Sequence, residues 1–407
     1  MSITPAEFIK NHGLNPNMID PNALAEVVAE RMAAGIAGTP VDMPMIPCYL
    51  SDTGEIAKGA KAIVIDAGGT NFRRALAEYN GAGFIISHLA TDKMPGTLSP
   101  VTFDQMIDFI AESILPIAGE TDIIGFTFSY NVTITPTVDG IVNKIDKEVT
   151  VTDCEGKAVG AALSEALAKK GAPGKRVIIL NDTVSAMLGG CTEVDMDEHS
   201  GVAGMICGTG LNSCCSVDGM IYNHESGCFS AAPSGDIDEA VDAESIAPGE
   251  KLMEKKASGV YLGKICRTAM KAACAEGLIS SETLEEINKI ENLDGAVVDA
   301  WAQGDFGNNP FASDEEMTFA HQLCTAIFAR SARCAATIMI AIAILKNCGT
   351  DPAKPLCICA EGSLIAKSKT FRPYLDDALK DSGKYIDIVI GHETTLPGSA
   401  MAALMNS

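Results

Sequence analysis

The sequence predicts a two-lobed α/β protein, in which two β-rich cores flanked by helices hold a ligand in the cleft between them. Two local patterns and the chain length carry that prediction. At Ala62-Ile63-Val64-Ile65-Asp66-Ala67-Gly68-Gly69-Thr70-Asn71-Phe72-Arg73 an apolar strand ends in an acid and a paired-glycine turn, and a second strand-like run comes directly after. Glycines leave such a turn without Cβ atoms, so its N–H groups can converge on an anion, with Thr70, Asn71 and Arg73 adding donors beside it. Asp66, at the strand end, is placed to hold hydrated Mg²⁺. The theme returns at Gly204-Met205-Ile206-Cys207-Gly208-Thr209-Gly210-Leu211-Asn212. With 407 residues, 47% of them hydrophobic, the chain is too long for one core, and two phosphate-type turns suggest a nucleotide held between halves.

Other nucleotide folds are excluded by the residues after the first turn. A dinucleotide fingerprint enters a helix, whereas Asn71 to Tyr79 reads as a strand closed by Asn80-Gly81. No G-x-x-x-x-G-K-[ST] run occurs, which removes a P-loop. A net charge of −23 leaves no basic patch for nucleic acid or an anionic membrane. The 14 cysteines are scattered through apolar segments without C-x-x-C pairs, so they read as reduced and buried, with no zinc site. No basic n-region or apolar h-region opens the chain, and the expected location is the cytoplasm. The longest apolar run, Cys334 to Leu345, is shorter than the roughly 20 residues a bilayer needs and reads as a buried helix.

In chain order, Thr4-Pro5-Ala6-Glu7 forms a capping box for a first helix, and Asp20-Pro21 opens a second that ends near Gly38. Pro40, Pro44 and Pro47 mark an irregular connection. Lys61 to Thr91 reads as a three-stranded meander, and Thr102 with Gln105 caps a helix to about Ala118. Ile123 to Phe128 is a strand, Val132 to Val151 an excursion of strands, and Lys157 to Lys170 a helix. Arg176 to Leu180 is a short buried strand that runs into a helix at Asn181-Asp182-Thr183. Strands from Val202 to Met220 turn at Asp218-Gly219; helices then fill Gly249 to Lys346, before strands at Leu356 to Cys359 and Ile386 to Ile390.

Asp182 stands where a strand ends, the position of ligand-facing groups in α/β sheets. Two roles fit it locally, a general base or a helix N-cap. At this point the chain resembles the hexokinase family of sugar kinases, of the bacterial single-unit type, from about Lys61 onward. Asp66 to Arg73 is similar to the family's first phosphate motif, Gly125-Phe126-Thr127-Phe128-Ser129-Tyr130 to its sugar-loop strand, and Leu180-Asn181-Asp182-Thr183-Val184 to its catalytic motif. Gly208-Thr209-Gly210-Leu211-Asn212 resembles the second phosphate motif. Asn223-His224-Glu225-Ser226-Gly227 and Pro248 to Lys255 resemble the segments that bring sugar-binding glutamates. Glu361-Gly362-Ser363-Leu364 and Pro397-Gly398-Ser399-Ala400 look like the nucleotide-side turns.

The resemblance implies a two-lobed actin-like ATPase fold, a duplicated ribonuclease H-like α/β unit. It divides the chain into a small lobe of residues 61–199 plus 396–407 and a large lobe of 1–60 plus 200–395. It implies ATP and Mg²⁺, the metal held by Asp66, and phosphoryl transfer to the 6-hydroxyl of glucose or a close hexose. Asp182 would be the base, with Lys147 beside it, and Ser129, Asn181, Asn212, Glu225 and Glu254 would hold the sugar. Gly68, Gly69, Thr70, Asn71, Arg73, Thr209, Gly210, Gly362, Ser363, Gly398 and Ser399 would face the nucleotide. Mannose, fructose or an N-acetylhexosamine stay open as acceptors, as does a non-catalytic sugar-binding regulator. Asp146, Asn131, Ser226 and Lys251 depart from the family pattern of threonine, proline, tryptophan and glutamine and leave the preferred sugar open. Lys255 and Lys256 read as helix-surface residues, and His224 as structural. An expectation of a homodimer rests on no residue in particular.

Overall fold

The computed structural model describes residues 3–145, 149–391 and 393–407. Five strands form one sheet: β1 (Lys61–Ala67), β2 (Asn71–Tyr79), β3 (Phe84–Lys93), β4 (Ile123–Phe128) and β5 (Arg176–Leu180). Their spatial order is β5-β4-β1-β2-β3; β1, β2 and β3 are antiparallel neighbours, and β4 and β5 add on in parallel. The second sheet contains β6 (Gly201–Cys207), β7 (Leu211–Val217), β8 (Met220–Asn223), β9 (Leu356–Glu361) and β10 (Ile386–Ile390), with Ile46–Pro47 added at the β8 edge. Its order is β10-β9-β6-β7-β8 with the same pairing senses. The two sheets therefore repeat one topology, strand for strand, and Gly68 after β1 corresponds to Gly208 after β6.

Three buried clusters define the layers. Helices Phe103–Ile114 and Val159–Lys169 cover the outer face of the first sheet. Helices Asp182–Gly190 and Thr395–Met405, which come after β5 and β10, lie against each other between the sheets. The Asp314–Leu345 helix and its neighbours cover the outer face of the second sheet, joined by the N-terminal helices Pro5–Asn11 and Pro21–Ile36. Strand β1 is nearly all apolar because both of its faces are covered: Ala62 and Val64 meet the inner helices, Ile63 and Ile65 the outer ones. The inner layer uses small side chains for close approach, and a Cβ at Gly398 would run into Ser185 O of the facing helix.

Local signals act where expected. Thr4 with Glu7 and Thr102 with Gln105 make reciprocal capping boxes, and Asp20 caps the Pro21–Ile36 helix. The helix expected to reach Ala118 is α-helical only to Ile114, because Pro116 has no N–H to continue the ladder and the chain tightens into a 3₁₀ turn over Leu115–Ile117. Asp314–Leu345 is long and apolar enough to cross a membrane, but 89% of its most apolar window is buried in protein. Lys255 and Lys256, expected on a helix surface, are buried at 6% and 2% exposure. Lys255 reaches Asp242, whereas Lys256 Nζ lies 3.4 Å from Leu252 O of its own helix.

Candidate active site

The turn after β1 is closed from within. Gly68 N–H donates to Asn71 O at 3.2 Å, and Tyr130 Oη–H donates to Gly68 O at 2.6 Å. The tyrosine holds the carbonyl side of the turn, and among the described residues the apex amides of Gly69 and Thr70 have no backbone acceptor. Sequence reasoning assigns Tyr130 no role, because its partner is a backbone carbonyl far along the chain. Arg73, expected to face phosphate, donates Nε and Nη2 to Asp66 Oδ2 at 3.0 and 2.7 Å. The pairing fixes the carboxylate orientation at the strand end and spends two guanidinium donors there. Lys93 Nζ lies 3.4 Å from Asn71 Oδ1, and Ser129, 6% exposed, donates its N–H to Ala67 O.

The turn after β6 is closed in the same way, by Gly208 N–H on Gly210 O at 3.0 Å, with Thr209 exposed at its apex. A Cβ at Gly208 would lie 2.9 Å from Gly362 Cα and 3.0 Å from Ser363 N. The turns at 208–210 and 362–363 thus touch backbone to backbone, with no side chain between them, and Gly362 takes φ +117, which only glycine adopts readily. Such a cradle suits a phosphate chain.

Next to it lies a connected set of carboxylates and amides. Glu254 Oε2 accepts from Leu211 N at 3.0 Å, which ties this glutamate to the turn after β6. Asn223 donates Nδ2–H to Glu225 Oε1 at 2.9 Å and accepts from Asn212 Nδ2 at 2.8 Å. Asn223 is buried, so its amide serves as the bridge that orients Asn212 and Glu225. Register makes this possible: β7 and β8 are antiparallel, with Cys214 opposite Asn223. Glu225 and Lys251 both hold left-handed backbone, at φ 51 each, an uncommon conformation for residues with a Cβ. His224 is fully buried; its Nδ1 lies 2.8 Å from Ser213 Oγ, and burial pulls its pKa down to about 3. It is a neutral scaffold for the turn, in keeping with a structural role.

Asn181 and Asp182 divide two jobs at the head of the inner helix. Asn181 is the N-cap, its Oδ1 accepting from Thr183 N at 2.9 Å. Asp182 is the first helical residue and also accepts from Thr183 N, at 2.8 Å. The cap reading belongs first to Asn181, whose oxygen is committed there, leaving its amide N–H₂ as what it can offer a ligand. Cys214 Sγ donates to Thr183 O at 3.3 Å, so this helix start crosses β7 two residues from Asn212. Asp182 and Asn212 are thereby brought to one cleft. Lys147, expected beside Asp182, and Asp146 lie outside the described residues.

Glu361 ends β9 at the same cleft. Burial pushes its carboxyl above the usual carboxylate range, the Asp182 charge adds to that, and hydrogen bonds from Thr394 and the Arg73 guanidinium oppose it. Two groups expected at the nucleotide are placed elsewhere. Ser399 is fully buried, 2.6 Å from Thr127 Oγ1 and donating to Thr395 O, and Gly398 is the contact glycine against Ser185. Both sit one turn inside the Thr395–Met405 helix and face the neighbouring helix and sheet.

Comparison with known proteins gives a consistent result. Two family models described as hexokinase match, one over residues 12–192 and one over 202–405. Hexokinase-3 of Homo sapiens is 31% identical over 62% of this chain and 30% of its own length. Hexokinase-2, chloroplastic, of Nicotiana tabacum is 33% identical over 65% of this chain and 58% of its own. The matched segments thus span less than two thirds of these relatives, while Hexokinase-1 of Schizosaccharomyces pombe is 27% identical over 93% of this chain and 88% of its own. A solved hexokinase from Schistosoma mansoni complexed with glucose shares the fold, with a TM-score of 0.78 at 18% identity, covering 99% of this chain and 100% of that one.

Proposed function

We propose that this chain, which belongs to the hexokinase family, transfers the γ-phosphoryl group of ATP to the 6-hydroxyl of glucose or a close hexose. The observation that carries the reading is the arrival of Asp182, from the first sheet's side, at the strand bearing Asn212. A carboxylate base and a polyol-binding set then meet beside two glycine turns. Asn212, Glu225 and Glu254, the first two oriented through Asn223, suit a polyol, since each can fix hydroxyls that would cost about 1–3 kcal/mol apiece if buried unpaired.

In this reading Asp182 accepts the proton of the sugar's primary hydroxyl as its oxygen bonds to the γ-phosphorus, and the bond from phosphorus to the β,γ-bridging oxygen breaks to release ADP. The apex amides at Gly69, Thr70, Thr209 and Gly210 cradle the phosphates, and the backbone contact of Gly208 with Gly362 leaves room for them. Asp66 would hold the Mg²⁺ that accompanies the nucleotide, and the ion would supply charge neutralisation there. Arg73 keeps the Asp66 carboxylate aimed. Ser129, Asn181 and Lys147 complete the sugar's other side. We take residues 61–199 plus 396–407 as the lobe that closes on the remainder, excluding the water that would otherwise accept the phosphoryl group. A net charge of −23 gives nucleic acid and anionic membranes no part in the reading.

The test is ADP release across a panel of glucose, mannose, fructose and N-acetylhexosamines. Turnover with glucose or a near relative is expected. Sugar binding without ADP release for every member would replace the kinase with a sugar-binding regulator.

A further inference from the structure

The residue opposite Asp66 in the repeated topology is not an acid. Position for position, Asp66 on β1 corresponds to Ile206 on β6, and their parallel-strand neighbours are Thr127 and Glu361. The second half therefore carries its strand-end carboxylate one strand over, on β9. That carboxylate is engaged by Thr394, whose hydroxyl donates to Glu361 Oε1.

Thr394 is itself locked from three sides. Its carbonyl accepts from Gly398 N at 2.8 Å in the first turn of the Thr395–Met405 helix. The same carbonyl lies where a Cβ on Gly189, of the Asp182–Gly190 helix, would stand. Its side chain fills the space left by Gly391, whose N–H donates to Ala360 O of β9 at 3.0 Å. Thr394 is 1% exposed. One buried residue, through its hydroxyl and its backbone, thus joins the end of β9 to the helix that begins with Asp182 and to the helix after β10. On the other side, Glu361 is covalently next to Gly362, whose backbone abuts the Gly208 turn.

We propose that Glu361 is a positioning residue for the reaction: through its hydrogen bond from Thr394 it holds the Gly362 phosphate-side turn and the Asp182 helix in one register. It need not touch substrate. The inference rests on the reading of the cleft as a nucleotide and sugar site, and it goes beyond that reading in assigning the alignment to a contact between the second sheet and the inner helices. Asn212, Asn223 and Glu225 on the sugar side are linked to one another and should be indifferent to the contact.

The test uses Glu361→Ala, Glu361→Gln, Thr394→Val and the Glu361→Ala/Thr394→Val pair in the full chain, with steady-state kinetics and calorimetric binding of MgADP and glucose. Glu361→Ala and Thr394→Val should each raise the KM for ATP and the Kd for MgADP about tenfold or more and lower kcat, since a half-buried carboxylate acceptor or its buried donor is lost. Glu361→Gln keeps an acceptor oxygen and should recover most of the wild-type KM. The double variant should be no worse than Glu361→Ala alone, because that change already removes both the hydroxyl and the backbone hydrogen bond from Thr394. Glucose affinity within about threefold of wild type would show that the variants fold and that the effect is confined to the nucleotide side. Nucleotide affinity and kcat unchanged in both single variants would overturn the inference alone, as would additive losses in the pair. Failure of the unaltered protein to bind MgADP would overturn the nucleotide site and this inference with it.

Discussion

Replacing Asp182 by Asn separates catalysis from folding unusually well in this chain, because the structure assigns the cap to its neighbour. Asn181 Oδ1 holds Thr183 N at 2.9 Å and is untouched by the change. What Asp182 adds to stability is a first-turn negative charge at a helix N-terminus, about 0.3–1 kcal/mol. Asp182 Oδ1 also accepts from Thr183 N, a contact an asparagine oxygen can repeat. The variant should melt within a few degrees of the parent. As a base the same residue is worth about 10²–10⁴-fold in rate, equivalent to about 3–5 kcal/mol of transition-state stabilisation. The two magnitudes differ enough to be told apart in one protein. The assay is coupled ADP release at saturating sugar and ATP, with glucose affinity measured by calorimetry and folding by thermal melt. The expected result is a collapse of kcat with sugar binding weakened far less. A folded Asp182→Asn protein retaining kcat within about tenfold would refute the base assignment, since even the lower end of general-base assistance exceeds that, and would leave Asp182 as a second helix-end acceptor.

Other residues carry their own expectations. Asn223→Ala removes the bridge between Asn212 and Glu225 and should raise the glucose Kd about tenfold, from a loss of about 1–3 kcal/mol, in calorimetric titration; an unchanged Kd would mean that the two side chains hold themselves in place. Lys256→Met should raise the melting temperature by removing a buried ammonium that makes no ion pair among the described residues, for a gain of about 1–3 kcal/mol with turnover unchanged, and a lower melting temperature would contradict this. His12 sits between Asp236 at 2.8 Å and Glu276 at 2.7 Å. Burial opposes its charge, but hydrogen bonds to the two carboxylates win and its pKa is raised. A raised folded-state pKa stabilises fully below the unfolded value of about 6.5 and is lost as pH climbs through the folded value. Melts of the wild type should therefore lose stability across that window relative to His12→Gln, and parallel pH profiles would exclude the contribution.

What is legible in the sequence is local. The paired glycines at 68–69, the Gly-Thr-Gly at 208–210 and the strand-to-helix junction at 181–183 are short patterns whose conformations depend on a few consecutive residues. The capping boxes at Thr4 and Thr102 are of the same kind. What stays hidden depends on register and on contacts distant along the chain. Asn223 orients Asn212 only because β7 and β8 pair as they do, and Tyr130 reaches Gly68 O across a parallel strand pair. Arg73 reads as a phosphate donor because it comes after a phosphate turn; it stands opposite Asp66 in the antiparallel register, and the nearer charge captures it. Gly398 and Ser399 have a turn-like composition, yet the small residues serve helix contact, a use that composition does not distinguish from a ligand-facing turn. The buried lysines mislead for a related reason: Lys255-Lys256 is charged, and charge argues for a surface until the covering elements are known.

The duplicated topology brings the starts of two inner helices to one cleft. In each half the first strand ends in a glycine turn, the fourth strand runs parallel beside it, and a helix comes after the fifth. Both helices fall in the inner layer because both sheets turn that face inward, so the residues at their starts, Asn181 and Asp182 in one and Thr394 in the other, are close to whatever the opposite sheet presents. One start carries the Asp182 carboxylate at its first helical residue and the other, at its N-cap, a hydroxyl that binds Glu361. The halves are alike in backbone and unlike in the side chains that matter. A symmetric pair of acids at the two helix heads would place two carboxylates near one phosphate chain, and their repulsion would work against the anion the glycine turns are shaped to receive. With Thr at the second helix start and Glu361 drawn into a hydrogen bond beside it, Asp182 is left as the carboxylate at a helix start that, in the proposed reading, faces the sugar.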